Sequence, residues 1–329
     1  MTALQSDAST FAADMLTGFE AANSQYVKAV DGGVVRSTLI PDGRVGLVVG
    51  GGSGHYPAFA GLVGPGLAAG AVCGNIFASP SASQISRIAR TVHRGAGILL
   101  GYGNYAGDVL HFGLAQEQLR AAGMDVRSIA VTDDIASAPR DELHKRRGIA
   151  GDLTVFKVAG AAAEAGHTLD DVERIAVRAN HRTRSLGVAF SGCTLPGATK
   201  PLFTVPEGMM AVGMGIHGEP GISEAPLPTP DELAVLLVTA LLKDTPDNPG
   251  KRVAVLLNGL GTVKYDELFV LFGKINALLQ GQGLNVVQPE CGELVTSLDM
   301  SGVSLTLFWL DDELEALWAA PADSPAYRK

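Results

Sequence analysis

The residues best placed to do chemistry lie at 210–221, MAVGMGIHGEPG. An apolar run ends in Gly213-Met214-Gly215-Ile216; His217 follows, with Gly218-Glu219-Pro220-Gly221 behind it. Glycine admits positive φ and lets a ligand approach the main chain, and proline fixes φ and stops a helix. The pattern predicts a strand that ends in a tight turn with His217 at its tip. An imidazole there is either an ordinary turn residue or a neutral nucleophile offered to a small molecule. A second stretch, Gly50-Gly51-Gly52-Ser53-Gly54-His55-Tyr56-Pro57, follows what reads as a buried strand at 44–49. Four glycines in five positions predict exposed, curled backbone N–H groups: a nest for an oxyanion, a phosphate or a sugar hydroxyl. A plain tight turn is the alternative. The third candidate, Asp108, follows Gly101-Tyr102-Gly103-Asn104-Tyr105-Ala106-Gly107. It reads as the N-cap of a helix over 109–122, or as a carboxylate at the C-terminal end of a strand, where α/β sheets place their chemistry. Pattern alone favours the cap.

Two further clusters are weaker. Asp133-Asp134 suits a metal or a pair of loop caps. His144-Lys145-Arg146-Arg147, the most basic run, suits a phosphate or an exposed turn, with the turn favoured. Several templates fail. His55 stands where G-x-S-x-G needs its last glycine, and G-x-x-x-x-G-K-[ST] is absent, so neither a hydrolase elbow nor a Walker loop is supported. Gly213-x-Gly215-x-x-Gly218 has the dinucleotide spacing, but Glu219-Pro220-Gly221 cannot open the helix that fingerprint requires.

These residues sit in a chain of 329, 47% hydrophobic and 18% charged, long enough for two domains of roughly 150 residues each. The 41 glycines form no repeat, which suggests many tight strand-to-helix turns. A net charge of −9 argues against nucleic acid or an anionic membrane as partner. Cys73, Cys193 and Cys291 are odd in number and widely spaced, pointing to a reducing compartment and no structural zinc. Residues 1–16 lack the charged-then-apolar pattern of a signal peptide, and no apolar run reaches the ~20 residues of a membrane span. A cytoplasmic protein is expected.

Periodicity predicts a helix over 9–22, capped by Ser9 or Asp7. Strands follow at 44–49, 67–74, 97–100 and 125–131, alternating with helices from Ser81 or Ser83 to Arg94, over 109–122, through the Ala-rich 157–164, and over 169–184. That alternation predicts an α/β domain with a largely parallel sheet. The character changes after about Arg184. Strands are expected at 186–190, before His217, and at 252–257, 284–288 and 304–310. Helices are expected at 231–242, after a Pro-rich link (Pro226, Pro228, Pro230), and at 265–279. The division falls near 184–190, giving an N-terminal α/β domain over 1–185 and a C-terminal one over 186–329.

Taken in order, Gly50-Gly51-Gly52-Ser53-Gly54-His55, Asn75-Ile76-Phe77-Ala78-Ser79-Pro80, Asn104-Tyr105-Ala106-Gly107-Asp108, Gly215-Ile216-His217-Gly218-Glu219-Pro220-Gly221 and Thr296-Ser297-Leu298-Asp299-Met300 resemble the DhaK-type, substrate-binding part of the dihydroxyacetone kinases. The resemblance spans about residues 10–320. It implies two α/β domains with the substrate site between them, and a homodimer. It also implies that His217 bonds covalently to a ketose carbonyl as a hemiaminal, that Asp108 accepts the proton of the reacting hydroxyl, and that His55 hydrogen-bonds the substrate. Gly52, Ser53 and Gly103 fall among the implied substrate-binding positions. A covalent bond to a carbonyl selects ketones and aldehydes over polyols.

Two positions depart from the family pattern. The residue before Asn104 is often lysine in bacterial substrate subunits and is Gly103 here; the residue after His55 is often glutamate and is Tyr56 here. Losing a cation changes how a substrate hydroxyl is bound, so erythrulose or another short ketose stands beside dihydroxyacetone as substrate. The family's nucleotide-binding part is a separate helical module whose aspartates hold magnesium. None is expected within these 329 residues, so ATP or ADP with Mg is expected through a DhaL-type partner, recharged in some systems by a phosphotransferase-system protein. No metal or other cofactor is expected on this chain. A ketose-binding regulatory subunit without catalysis is the rival; retention of Asp108 speaks against it.

Overall fold

Residues 9–329 are described by the structure, a computed structural model. They form two compact units, one from residues 9–131, 153–179 and 314–329, the other from 132–152 and 180–313. The cap candidate Asp7 lies outside the described residues, as do residues 1–8 of the stretch that shows no signal-peptide pattern.

The first unit opens with α1 (Phe11–Asn23), β1 (Val27–Val30), β2 (Gly33–Arg36) and β3 (Gly46–Ser53). Next come β4 (Gly70–Ile76), α2 (Ala82–Val92), β5 (Ile98–Gly103), α3 (Ala106–Ala121) and β6 (Val126–Val131). Helices α4 (Asp152–Ala165) and α5 (Leu169–His181) lie largely in this unit. The sheet runs β1-β2-β4-β3-β5-β6, with β4, β3, β5 and β6 parallel. Parallel strands need crossovers; α2 carries the chain from β4 past β3 to β5, and α3 from β5 to its neighbour β6. All eight residues of β3 are buried, as expected of a strand covered on both faces. Ile85, Ile88, Ala89 and Val92 of α2 and Phe112, Ala115 and Leu119 of α3 pack with Val48, Leu100 and Val126. Ser81 starts α2 in a full capping box with Gln84. By contrast Thr10, not Ser9, is the N-cap of α1, and its side chain makes no capping bond.

The second unit holds β7 (Thr183–Ala189), β8 (Met209–Val212), β9 (Ser223–Pro226), α6 (Pro230–Lys243), β10 (Arg252–Gly259) and α7 (Tyr265–Gly281). Short β11 (Asn285–Val286) and β12 (Glu290–Gly292) precede β13 (Gly302–Trp309). The order is β11-β10-β13-β7-β8-β9, with β12 also paired to β10. Here β10, β13, β7, β8 and β9 are successively antiparallel. Leu233, Leu237 and Leu241 of α6 and Leu268, Leu271, Ile275 and Leu279 of α7 repeat at helical spacing and bury against this sheet. Helix α8 (Asp312–Ala319) closes the chain's regular structure. No helix among the described residues is long and apolar enough to cross a membrane.

The units are interleaved in sequence instead of being divided once at 185/186. Residues 132–152 join the second unit because they are bonded into it. Ile135 N donates to Ser185 O at 3.0 Å, and Arg146 Nη1 and Nη2 reach Asp244 Oδ1 and Oδ2 at 2.8 and 2.7 Å. The hairpin β1–β2 escapes the sequence reading because its outer strand is half exposed and too short to show a period. Strand β9 likewise goes unread; it ends at Pro226, the first residue of the Pro-rich link. The helix expected over 169–184 stops at His181, and β7 begins at Thr183.

Candidate functional site

In the first unit, the glycine-rich stretch is not a nest. Gly50, Gly51 and Gly52 continue β3 in parallel register with Val72, Cys73 and Gly74. Their small size is used for close approach. A Cβ on Gly51 would meet the Phe59 ring at 2.4 Å, and one on Gly52 would meet Ala78 N at 2.7 Å. Only Gly54 of the run takes positive φ, 104°. Ser53 Oγ donates to Gly74 O at 2.6 Å. His55 follows this strand, almost fully buried, with its ring stacked on Phe77 at 4.9 Å and 19°. Tyr56 is 46% exposed and meets Phe19 edge-on at 5.8 Å.

Asp108 is not the N-cap of α3. Tyr105 holds that place, so the helix starts three residues earlier than expected and Asp108 is its third residue. A carboxylate in the first turn still benefits from the helix dipole. Asp108 is 8% exposed, and Ser79 Oγ donates to its Oδ1 at 2.7 Å. Gly103, buried, ends β5, and its carbonyl accepts from Tyr105 N at 2.8 Å. Strand ends β3, β4 and β5 thus bring His55, Ser79, Gly103 and Asp108 to the C-terminal edge of parallel strands.

In the second unit, β8 ends at Val212, five residues before His217, so the histidine sits in the loop of the β8–β9 hairpin. Its side chain is 20% exposed. Nδ1 lies 2.8 Å from Glu219 Oε1, and the backbone N of His217 donates to Glu219 Oε2 at 3.1 Å. This return of the carboxylate depends on Gly215, where a Cβ would stand 2.0 Å from Glu219 Oε2. Ser297 Oγ donates to Ile216 O, tying the Thr296–Met300 segment to the loop. Arg147 donates from Nε to Asp134 Oδ2 at 3.0 Å and from Nη2 to Gly213 O at 3.0 Å. Its Nη1 lies 3.9 Å from Glu219 Oε2.

Burial, the largest single influence, raises the Glu219 carboxyl, but the hydrogen bond and charge of His217 and the backbone N–H groups around it together outweigh burial and hold the carboxyl at about 2. An ionised Glu219 accepts a hydrogen bond from Nδ1–H, which favours that tautomer and puts the ring's lone pair on Nε2. An imidazole so held is a competent nucleophile toward a carbonyl. The cation formed by attack at Nε2 keeps its Nδ1–H against a carboxylate, the same logic that serves a triad histidine.

The depressed Glu219 also makes a pH prediction. A carboxyl ordinarily near 4.5 that titrates at about 2 in the fold contributes stability that is complete above about 4.5 and is lost as pH falls toward 2. Urea denaturation of Glu219→Gln is expected to show a shallower stability loss across that window than the wild type. Equal slopes would remove the carboxylate from this account.

The basic run is neither phosphate patch nor exposed turn at its arginines. Arg146 is buried on Asp244, and half-buried Arg147 pairs with buried Asp134. Asp133, fully buried, accepts from Ile149 N at 2.9 Å and Gly151 N at 2.8 Å. Among the described residues no group of three or more His, Cys, Asp or Glu is arranged to hold a metal ion. The sequence reading leaves Glu219, Ser79 and Phe77 without roles, and gives Arg147 a different one. Glu219 and Ser79 stand inside the unusual motifs, which is the signal that marks them; Arg147 and Asp134 lie in clusters the sequence shows, but their pairing becomes visible only through the fold.

Comparison with known proteins adds the following. The Dak1 domain family matches residues 17–326. The chain is 64% identical over 333 residues to the L-erythrulose kinase of Pectobacterium atrosepticum, covering 100% of this chain and 56% of that protein. It is 61% identical over 329 residues to the D-erythrulose kinase of Mycolicibacterium smegmatis, covering 100% of this chain and 57% of that protein. The chain therefore spans little more than half the length of these curated relatives. Among solved structures it is similar to the dihydroxyacetone kinase of C. freundii in complex with AMP-PNP and Mg2+, with a TM-score of 0.89 and 35% identity over 99% of this chain and 60% of that one.

Proposed function

The chain belongs to the Dak1 domain family, and on that premise we propose that it is the ketose-binding part of a short-ketose kinase, acting as a homodimer. His217 Nε2 adds to the ketose carbonyl carbon, the carbonyl π pair moves to oxygen, and that oxygen takes a proton from water to give a hemiaminal whose ring keeps Nδ1–H against the Glu219 carboxylate. Glu219 steadies the ring as positive charge develops on it. His55, Gly52, Ser53 and the Gly103 region contact the bound sugar. Asp108 accepts the proton of the terminal hydroxyl as its oxygen attacks the transferred phosphoryl group. The observation that carries this reading is the His217 Nδ1–Glu219 contact of 2.8 Å, which leaves Nε2 as the nucleophilic nitrogen. The phosphoryl donor, ATP or ADP with Mg, is held by a DhaL-type nucleotide module outside residues 1–329. That module is a separate subunit, recharged where needed by a phosphotransferase-system protein, or a further part of a longer chain.

Within this reading the favoured ketose is erythrulose, not dihydroxyacetone. Two relatives above 60% identity are erythrulose kinases, one for each enantiomer. Gly103 also brings no side chain to a position where the family often carries a lysine, giving a four-carbon sugar room in place of a cation. The nucleotide module being present, the better erythrulose enantiomer is expected to exceed dihydroxyacetone in kcat/KM by about 10-fold or more, the scale of one extra group in a fitted pocket. A clear preference for dihydroxyacetone would overturn the substrate assignment and leave the hemiaminal reading standing.

A further inference from the structure

The segment after β4, residues 77–80, touches two of the proposed substrate-handling groups at once. Phe77 takes positive φ, 54°, and its N donates to Ser53 O at 3.0 Å, which pins the turn to the end of β3. From there its ring lies flat on His55 at 4.9 Å. Two residues on, Ser79 Oγ reaches Asp108 Oδ1 at 2.7 Å, far better placed than its other acceptor, Pro80 O at 3.5 Å. Gly52 makes this possible: a Cβ there would stand 2.7 Å from Ala78 N and 2.9 Å from Phe77 Cα. Three motifs from distant parts of the sequence, at 50–55, 75–80 and 104–108, therefore meet in one turn.

We propose that Ser79 is a positioning residue for phosphoryl transfer: its hydroxyl holds one oxygen of Asp108 and so aims the carboxylate, while Phe77 of the same turn fixes the plane of His55. The proposal rests on Asp108 being the base. A donated hydrogen bond favours the ionised carboxylate, and an aimed carboxylate meets the hydroxyl proton in one geometry instead of several. Neither effect bears on the covalent capture of the carbonyl, which belongs to His217.

The test is a double-mutant cycle in the enzyme with its nucleotide module, using an erythrulose as substrate. Ser79→Ala is expected to lower kcat by about 10–100-fold, the scale of one hydrogen bond to a charged group. KM should change by less than about 3-fold, the carbon-13 signal of the captured carbonyl should be unchanged, and Ser79→Thr should restore kcat. In an Asp108→Asn background, Ser79→Ala is expected to cost nothing further. If Ser79→Ala fails to fold, Ser79→Cys keeps the volume with a weak donor and should track the alanine result. Equal losses in both backgrounds, or no loss with Ser79→Ala while Asp108→Asn collapses turnover, would overturn the positioning role and leave the base assignment intact. Full turnover in Asp108→Asn would instead overturn the base assignment and this proposal with it.

Discussion

His217→Ala is expected to abolish covalent capture of the ketose and, with it, turnover. With a ketose labelled with carbon-13 at the carbonyl, the wild-type chain should convert part of the ketone signal into that of an sp3 carbon bearing nitrogen and oxygen. The alanine variant should leave the ketone signal alone. Turnover in the presence of the nucleotide module should fall by at least about 10²-fold, the loss associated with misplacing a reacting atom by about an ångström. The loop that carries residue 217 is held by bonds the substitution does not touch: Gly215 N to Glu219 O at 3.1 Å, Gly218 N to Gly215 O at 3.0 Å, and Ile222 N to Val212 O at 2.8 Å. The variant should therefore fold, and its melting temperature is the control. A wild-type chain that binds the ketose while keeping its carbonyl signal would end the hemiaminal reading.

Asp108→Asn is expected to separate binding from transfer. The amide keeps the shape of the carboxylate and still accepts from Ser79 Oγ, so the helix start and the turn at 77–80 should be preserved. It cannot take a proton from a hydroxyl. Loss of a positioned base is worth about 10²–10⁴-fold, so kcat should fall on that scale, while the carbon-13 signal of the captured ketose persists. This outcome also decides against a purely ketose-binding regulatory role, for which position 108 needs no base. Loss of capture together with turnover would mean that Asp108 serves binding instead.

The sequence showed a good deal of both the fold and the site, for different reasons. Continuous apolar runs such as 45–49 and 97–100 betray strands buried on both faces, and helical spacing in 265–279 betrays α7. Both signals come from burial, so they survive without coordinates. The glycines at 50–52 were misleading because glycine answers two needs, positive φ and close approach, and sequence does not say which. Here it is close approach, against Phe59 and the turn at 77–78. Asp108 was visible as a helix-start residue, yet its place at the third position followed from Tyr105 adopting extended backbone as the cap, which no residue type announces. His217 stood out by its neighbours. Its partner Glu219 stood beside it unread, because an i+2 pair faces together only when a tight turn folds one onto the other. Arg146 and Arg147 looked like a solvated face, since the acids they meet, Asp244 and Asp134, lie 98 and 13 positions away.

The interleaving of the two units has a consequence for anyone who would dissect the gene. A stop codon at 185 would fall inside β7, a strand buried along its whole length and bonded to β13 on one flank and β8 on the other. The front fragment would keep Asp133, Asp134, Arg146 and Arg147 but lose Asp244, leaving the buried guanidinium of Arg146 without its counter-ion. The back fragment would take the final 16 residues away from the sheet they belong with. No single cut separates the two units, because each is assembled from segments that alternate along the chain.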